Sequence, residues 1–241
     1  MTMTKEALEF LNNQSVQAAE KAIIHDGDNT FLLENGQVRR FEPNGAPATI
    51  DMHTLTGLVT AIKTDALSAQ VVSLQVVSPT EVRVFGFVDE YGNRPILAES
   101  NALIPDFPFE RFIKQEDFQI KMRSMFIQNN HRDILIKFAG DLVDNNEQAY
   151  SDDGITQKAI VKSGVASKTN AEVPSPAELQ PYRTFMEVAQ PESEFIYRIN
   201  NSNGDMKMAL FEADGGAWKL QAMKNIHDYL VEKLPDMVVI A

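Results

Sequence analysis

Between residues 52 and 64 the apolar positions follow a helical rhythm. Leu55, Leu58, Val59 and Ile62 fall at i, i+3, i+4 and i+7, one face of a helix. The rhythm then shortens to two. Val72, Leu74 and Val76 alternate with Ser73 and Gln75, and after Ser78-Pro79-Thr80 the residues Val82, Val84 and Val88 oppose Arg83, Phe85 and Phe87. With a third run from Pro95 to Ile104 beyond the Glu90–Asn93 turn, this predicts an antiparallel meander. The helical rhythm returns as Phe118, Met122 and Met125 or Phe126 in 115–127, and as Ile134, Leu135, Phe138 and Leu142 in 131–144, where Asn130 is placed to cap. The short connection predicts a helical hairpin. A strand is expected over 156–165. Further on, Phe195, Tyr197 and Ile199 alternate up to the Asn203-Gly204 turn, and Met206, Met208 and Leu210 alternate after it. A last helix is expected over about 215–234, with Leu220, Met223, Ile226 or His227, Leu230 and Leu234 inward and Asp214 as N-cap. Met237 to Ile240 then reads as an edge strand.

Nearer the start, residues 4–23 carry a loose helical stripe of Leu8, Leu11, Val16, Ala19 and Ile23, interrupted by Asn12-Asn13-Gln14-Ser15. Phe31–Glu34 and Gln37–Phe41 flank Asn35-Gly36, the residue pair that supplies the two positive φ values of a tight hairpin turn. Pro43–Pro47 reads as a loop. Helices and strands are grouped rather than alternating as βαβ. The fold class is therefore α+β, with mostly antiparallel sheets, a central helical hairpin and a long C-terminal helix. A division into 1–108 and 109–241 is expected, with 145–155 as the other place for a boundary, or one continuous domain.

Charge changes the picture more than bulk composition does. The chain has 241 residues and a net charge of −12, and the acidic excess runs through both halves. That disfavours non-specific duplex binding, which needs a basic footprint. No run of 18 apolar residues exists, so no membrane span is expected. The first twenty residues lack an apolar secretory core, which points to the cytosol. Absence of Cys removes disulfides, thiolate nucleophiles and Cys-based metal sites.

Catalytic patterns do not emerge. His25, His53, His131 and His227 are not spaced as a helical metal pair, and His25-Asp26-Gly27-Asp28 fails as a calcium loop because its twelfth position is Gln37. His131-Arg132-Asp133 resembles a kinase catalytic loop only superficially, since the fifth residue after Asp133 is Phe138 rather than Asn. There is no phosphate-binding glycine loop and no nucleophile elbow. The expectation is a protein that is not an enzyme, with no cofactor and no metal. For binding, Tyr182, Arg183 and Trp218 offer stacking faces, and Arg198, Lys207 and Lys219 offer phosphate partners, for single-stranded nucleic acid or another partner. The architectural alternative is that Tyr182 and Phe185 plug the core and Trp218 packs on the neighbouring hairpin.

Residues 173–198 read Val-Pro-x-Pro-x-x-Leu-x-Pro-Tyr-Arg-Thr-Phe-x-Glu-Val-x-Gln-Pro-x-Ser-x-Phe-x-x-Arg, and residues 210–218 read Leu-Phe-Glu-Ala-Asp-Gly-Gly-Ala-Trp. This string resembles the YfdQ-like family of phage and prophage proteins. The resemblance covers the last third best and brings no catalytic residues with it. It implies a phage-encoded protein made in the bacterial host cytoplasm, commonly beside genes of recombination and replication. The leading expectation is a non-enzymatic binding protein, a homo-oligomer with a phage or host protein partner. The alternatives are an accessory of phage recombination or replication that contacts single strands, and an acidic anti-defence protein that blocks a host nucleic-acid-binding site.

Overall fold

A computed structural model describes residues 5, 9–10, 12–15, 23–26, 29–34, 37–41, 48–64, 67, 70–89, 92–141, 151–152, 157–163, 167–172, 174–202 and 205–241. The chain divides into two compact units, residues 1–47 and 48–241. In the first, Lys5, Glu9, Phe10 and Asn12–Ser15 are helical. Strands β1 (Ile23–Asp26), β2 (Asn29–Glu34) and β3 (Gln37–Arg40) form an antiparallel sheet. Glu34 pairs with Gln37, so the hairpin closes over Asn35-Gly36 as expected. Strand β1 is an addition, because Ile23 begins a strand rather than ending the helical stripe. The remaining residues of that stripe, the 43–47 loop, Glu90-Tyr91, Leu142 and Asn203-Gly204 lie outside the described residues.

Among the described residues the second unit holds three sheets, the two larger of which each cover a core of their own. The first sheet contains β4 (Ile50–Met52), helix α1 (Leu55–Lys63) on its face, β5 (Val71–Ser78), β6 (Glu81–Gly86) and β7 (Ile96–Asn101). Thr54 caps α1 by accepting the Gly57 N–H at 3.0 Å, and Leu55, Leu58, Val59 and Ile62 are buried as the spacing predicts. The meander β5-β6-β7 is antiparallel, but its edges are not. β4 joins β7 in parallel, and at the other edge the last strand joins β5 in parallel. A register shift between Val71 and Ser73 moves Val72 off the innermost positions. Val88 is also displaced: β6 ends at Gly86, and Phe87 and Val88 are exposed.

The second sheet begins at β8 (Ile113–Lys114), which leads into α2 (Gln115–Met125), followed by α3 (Asn130–Asp141). The two helices pack together. The cap of α3 is Asn129, one residue before the expected Asn130, and its Oδ1 accepts the Arg132 N–H at 2.8 Å. Strands β9 (Ser151–Asp152), β10 (Gln157–Ser163) and β11 (Ser167–Glu172) form a separate antiparallel sheet. Then β12 (Ala177–Leu179), β13 (Ser193–Ser202) and β14 (Asp205–Glu212) join β8 in the order β12-β13-β14-β8. Phe195, Tyr197 and Ile199 meet Met206, Met208 and Leu210 on the inner face, over Phe118, Met122, Leu135 and Phe138 of the helices. An aromatic cluster of Phe107, Phe109, Phe126 and Phe195 closes one end.

Helix α4 (Ala217–Lys233) returns to the first sheet, and β15 (Val238–Ile240) pairs with β5 there. Ala222, Ile226 and Leu230 are its buried stripe. Leu220 is not part of it: the side chain is 74% exposed, because the i, i+4, i+8 row of Ala222 takes the sheet-facing side. No helix among the described residues is long and apolar enough to cross a membrane.

Candidate functional site

Residues 181–190 tie the two cores of the second unit together. Pro181 bridges to Phe126, the Tyr182 N–H donates to the Met125 carbonyl at 3.0 Å, and Phe185 is buried in the other core. Thr184 Oγ1 donates to the Pro79 carbonyl. The loop is held from inside by Gln190, which is 6% exposed. Its Oε1 accepts the N–H groups of Arg183 at 2.9 Å and Thr184 at 3.2 Å, and its Nε2 donates to the Phe185 carbonyl at 3.0 Å. A buried loop must satisfy its backbone this way, since water is excluded.

That loop delivers Arg183 to the end of the aromatic core, where it is 5% exposed. Its guanidinium lies 3.9 Å from the centroid of the Trp218 ring and also covers Phe195 and Phe109, at 5.5 and 5.9 Å. Nη1 donates to Glu212 at 2.6 Å, and Nη2 donates to Ser193 Oγ. Burial pulls its pKa down to about 10 against the opposing charges of Glu212 and Asp214, so it stays cationic at neutral pH. Arg183 Nε and Trp218 Nε1 are buried without a hydrogen-bond partner. An unpaired buried donor costs about 1–3 kcal/mol, so stability is given up at this point of the fold.

On the other side of Trp218 lies a concavity of about 380 Å³ lined by Glu178, Glu192, Ser193, Glu194, Asp214, Ala217, Trp218 and Gln221. Register explains the concentration of acid. Glu178 of β12 stands directly opposite Glu194 of β13, and Glu192 is two residues from Glu194 and therefore on the same face. Backbone anchors hold the pair. The Glu178 N–H donates to His131 Nδ1 at 2.9 Å, the Glu178 carbonyl accepts from Asn129 Nδ2 at 3.0 Å, and the Glu194 carbonyl accepts from the Ala213 N–H at 2.9 Å. Neither Glu178, Glu192 nor Glu194 has an ion-pair partner among the described residues, and no Lys, Arg or His lines the hollow.

Asp214 completes the rim. It is not the N-cap by position, since Gly216 occupies that place at φ 82°, a conformation that favours glycine. Its carboxylate reaches over the turn and accepts the N–H groups of Gly216 at 2.9 Å and Trp218 at 3.3 Å. Burial acts to raise its pKa, but hydrogen bonds from Gly216, Ser193 and Trp218 and the charge of Arg183 outweigh it, and the carboxyl is held below its ordinary value.

The residues expected to bind thus fall into two groups. Arg183 and Trp218 stack on each other, with Lys219 5.9 Å from the same ring. Arg183 presents no face to a base or a phosphate, because it is buried and neutralised by Glu212. Tyr182 is half-buried beside it in sequence. Arg198 and Lys207 sit farther along the sheet. Register pairs Arg198 with Ala209 and Asn200 with Lys207, on the face that carries Glu194, four residues and about 13 Å from it. The glutamates were missed because they come from two segments that only the β12–β13 register joins. Among the described residues, no three His, Asp or Glu come together to hold a metal ion. Set against protein-family models, curated proteins and solved structures, the chain finds no match.

Proposed function

We propose that this is a non-enzymatic, phage-encoded binding protein whose acidic concavity beside Trp218 receives cationic side chains of a protein partner. One observation carries the reading: Glu178 and Glu194 face each other across β12 and β13, with Glu192 beside them and no cation in the lining. Like charges directly opposite in a sheet are destabilising. A stretch that keeps three such groups uncompensated, while Glu212 opposite Phe195 on the neighbouring strand is paired with Arg183, holds a negative potential available to a guanidinium or ammonium group. This fits the acidic anti-defence reading, in which a basic nucleic-acid-binding surface of a host protein is occupied.

The test is calorimetric titration of the full chain with an oligo-arginine peptide. Saturable binding that weakens with salt and is lost in Glu178→Gln/Glu192→Gln/Glu194→Gln is expected. Binding that the triple variant retains, or none at low salt, contradicts the reading.

A further inference from the structure

We infer that the open edge of β15, together with the adjoining side of α4, is the contact surface for a second copy of this chain, joined about a two-fold axis. The surface shares no lining residue with the acidic concavity and is argued independently of it. Among the described residues β15 is an edge strand, paired with β5 on one side only. Its sequence, Val238-Val239-Ile240, carries none of the charges, prolines or bulges that protect a sheet edge from pairing, and Val238 and Ile240 are 60% and 51% exposed. Alongside it runs a groove of about 670 Å³ between strand and helix, into which Leu220, Met223 and His227 of α4 face with Val239 and Ile240.

The helix side continues that apolar edge. Leu220 and Val231, 74% and 42% exposed, are eleven residues apart, three turns of helix, so they lie on one line along α4. Between them sit Lys224 and Asp228, paired with each other at 2.6 Å. The arrangement complements itself. Antiparallel pairing of β15 with its own copy makes one continuous sheet of ten strands and sets the two α4 helices side by side on the same face. A two-fold axis near Ile226 then brings Leu220 of one copy toward Val231 of the other, and Lys224 of one copy toward Asp228 of the other. The charge balance selects the same occupant. Lys224 and Asp228 leave the patch without net charge, so the repulsion between two chains of net charge −12 is weakest where these surfaces meet. An edge of isologous strands is also the simplest closed interface.

The experiment is light scattering coupled to size exclusion on the full chain, wild type beside Leu220→Glu and Ile240→Lys. Both positions are exposed, so circular dichroism is expected to stay unchanged, while the thermal midpoint falls by no more than the loss of the partner subunit accounts for. The wild type is expected at twice the 26.9 kDa chain mass, and each variant at half the wild-type value. A wild type at monomer mass overturns the proposal, whether it remains free or binds phosphatidylcholine vesicles through the same apolar patch. Variants that keep the dimer mass overturn the location.

Discussion

Trp218 separates two uses of the same carboxylate chemistry. Behind it, Glu212 is hydrogen-bonded to Arg183, whose guanidinium is stacked on three aromatic rings. In front of it, Glu178, Glu192 and Glu194 share a hollow whose lining holds no cation. The first arrangement closes the end of a core, and its charge is spent within the chain. The second is a standing cost to the fold with no internal return. The contrast teaches that the charged residues most conspicuous in the sequence, Arg183 above all, are architecture. The candidate for function is a set of ordinary glutamates placed together by strand register.

The comparison predicts unequal responses to substitution. The largest is expected at Arg183→Met, which strands Glu212 and strips the aromatic end of its cover. Removing one partner of a buried pair costs about 3–5 kcal/mol, read as a lower urea midpoint, and adding Glu212→Gln is expected to restore part of it. Next comes Gln190→Ala. It leaves the N–H groups of Arg183 and Thr184 and the Phe185 carbonyl without their partner, a loss of about 3 kcal/mol at roughly 1 kcal/mol each. Equal stability of either variant and wild type would erase the distinction between the two sides of Trp218.

Asp214 belongs to both sides, and its effect is intermediate. Asp214→Ala removes the acceptor for the first turn of α4 and is expected to cost about 1 kcal/mol. The sign with pH follows from its lowered pKa. Its contribution is present above the unfolded value of 3.8 and is lost as pH falls through the lower folded value. The gap in urea midpoint between wild type and variant should therefore narrow as pH drops below 3.8. The smallest stability effect has the opposite direction. Glu178→Gln/Glu194→Gln relieves the cross-strand repulsion and is expected to raise stability by up to about 1 kcal/mol, whereas a purely structural pair would lose stability.

Much of the scaffold is legible in the sequence. The inward row of α1, the Asn35-Gly36 hairpin and the alternation of Phe195–Ile199 against Met206–Leu210 are local patterns, and local patterns are what a sequence displays. The parallel strands β4 and β15 were harder. Each has three residues, too few to show alternation, and each is held by a partner more than forty positions away. Leu220 misled because several apolar residues of α4 fit more than one helical row, and only packing on the sheet chose Ala222, Ile226 and Leu230. The acidic hollow was invisible for a related reason. Glu178 and Glu194 are sixteen positions apart, and a one-residue slip of register would have put them on opposite faces.

The central claim is that those glutamates are kept at a cost to stability because they bind a cationic partner. It is tested most directly by titrating the fluorescence of Trp218, the one Trp in the chain, with oligo-arginine in wild type and Glu178→Gln/Glu194→Gln. The account predicts a saturable change in the wild type and an affinity weaker by about tenfold or more, 1.4 kcal/mol, in the variant. Equal affinities in the two proteins, or an unresponsive Trp218 at low salt, would contradict it.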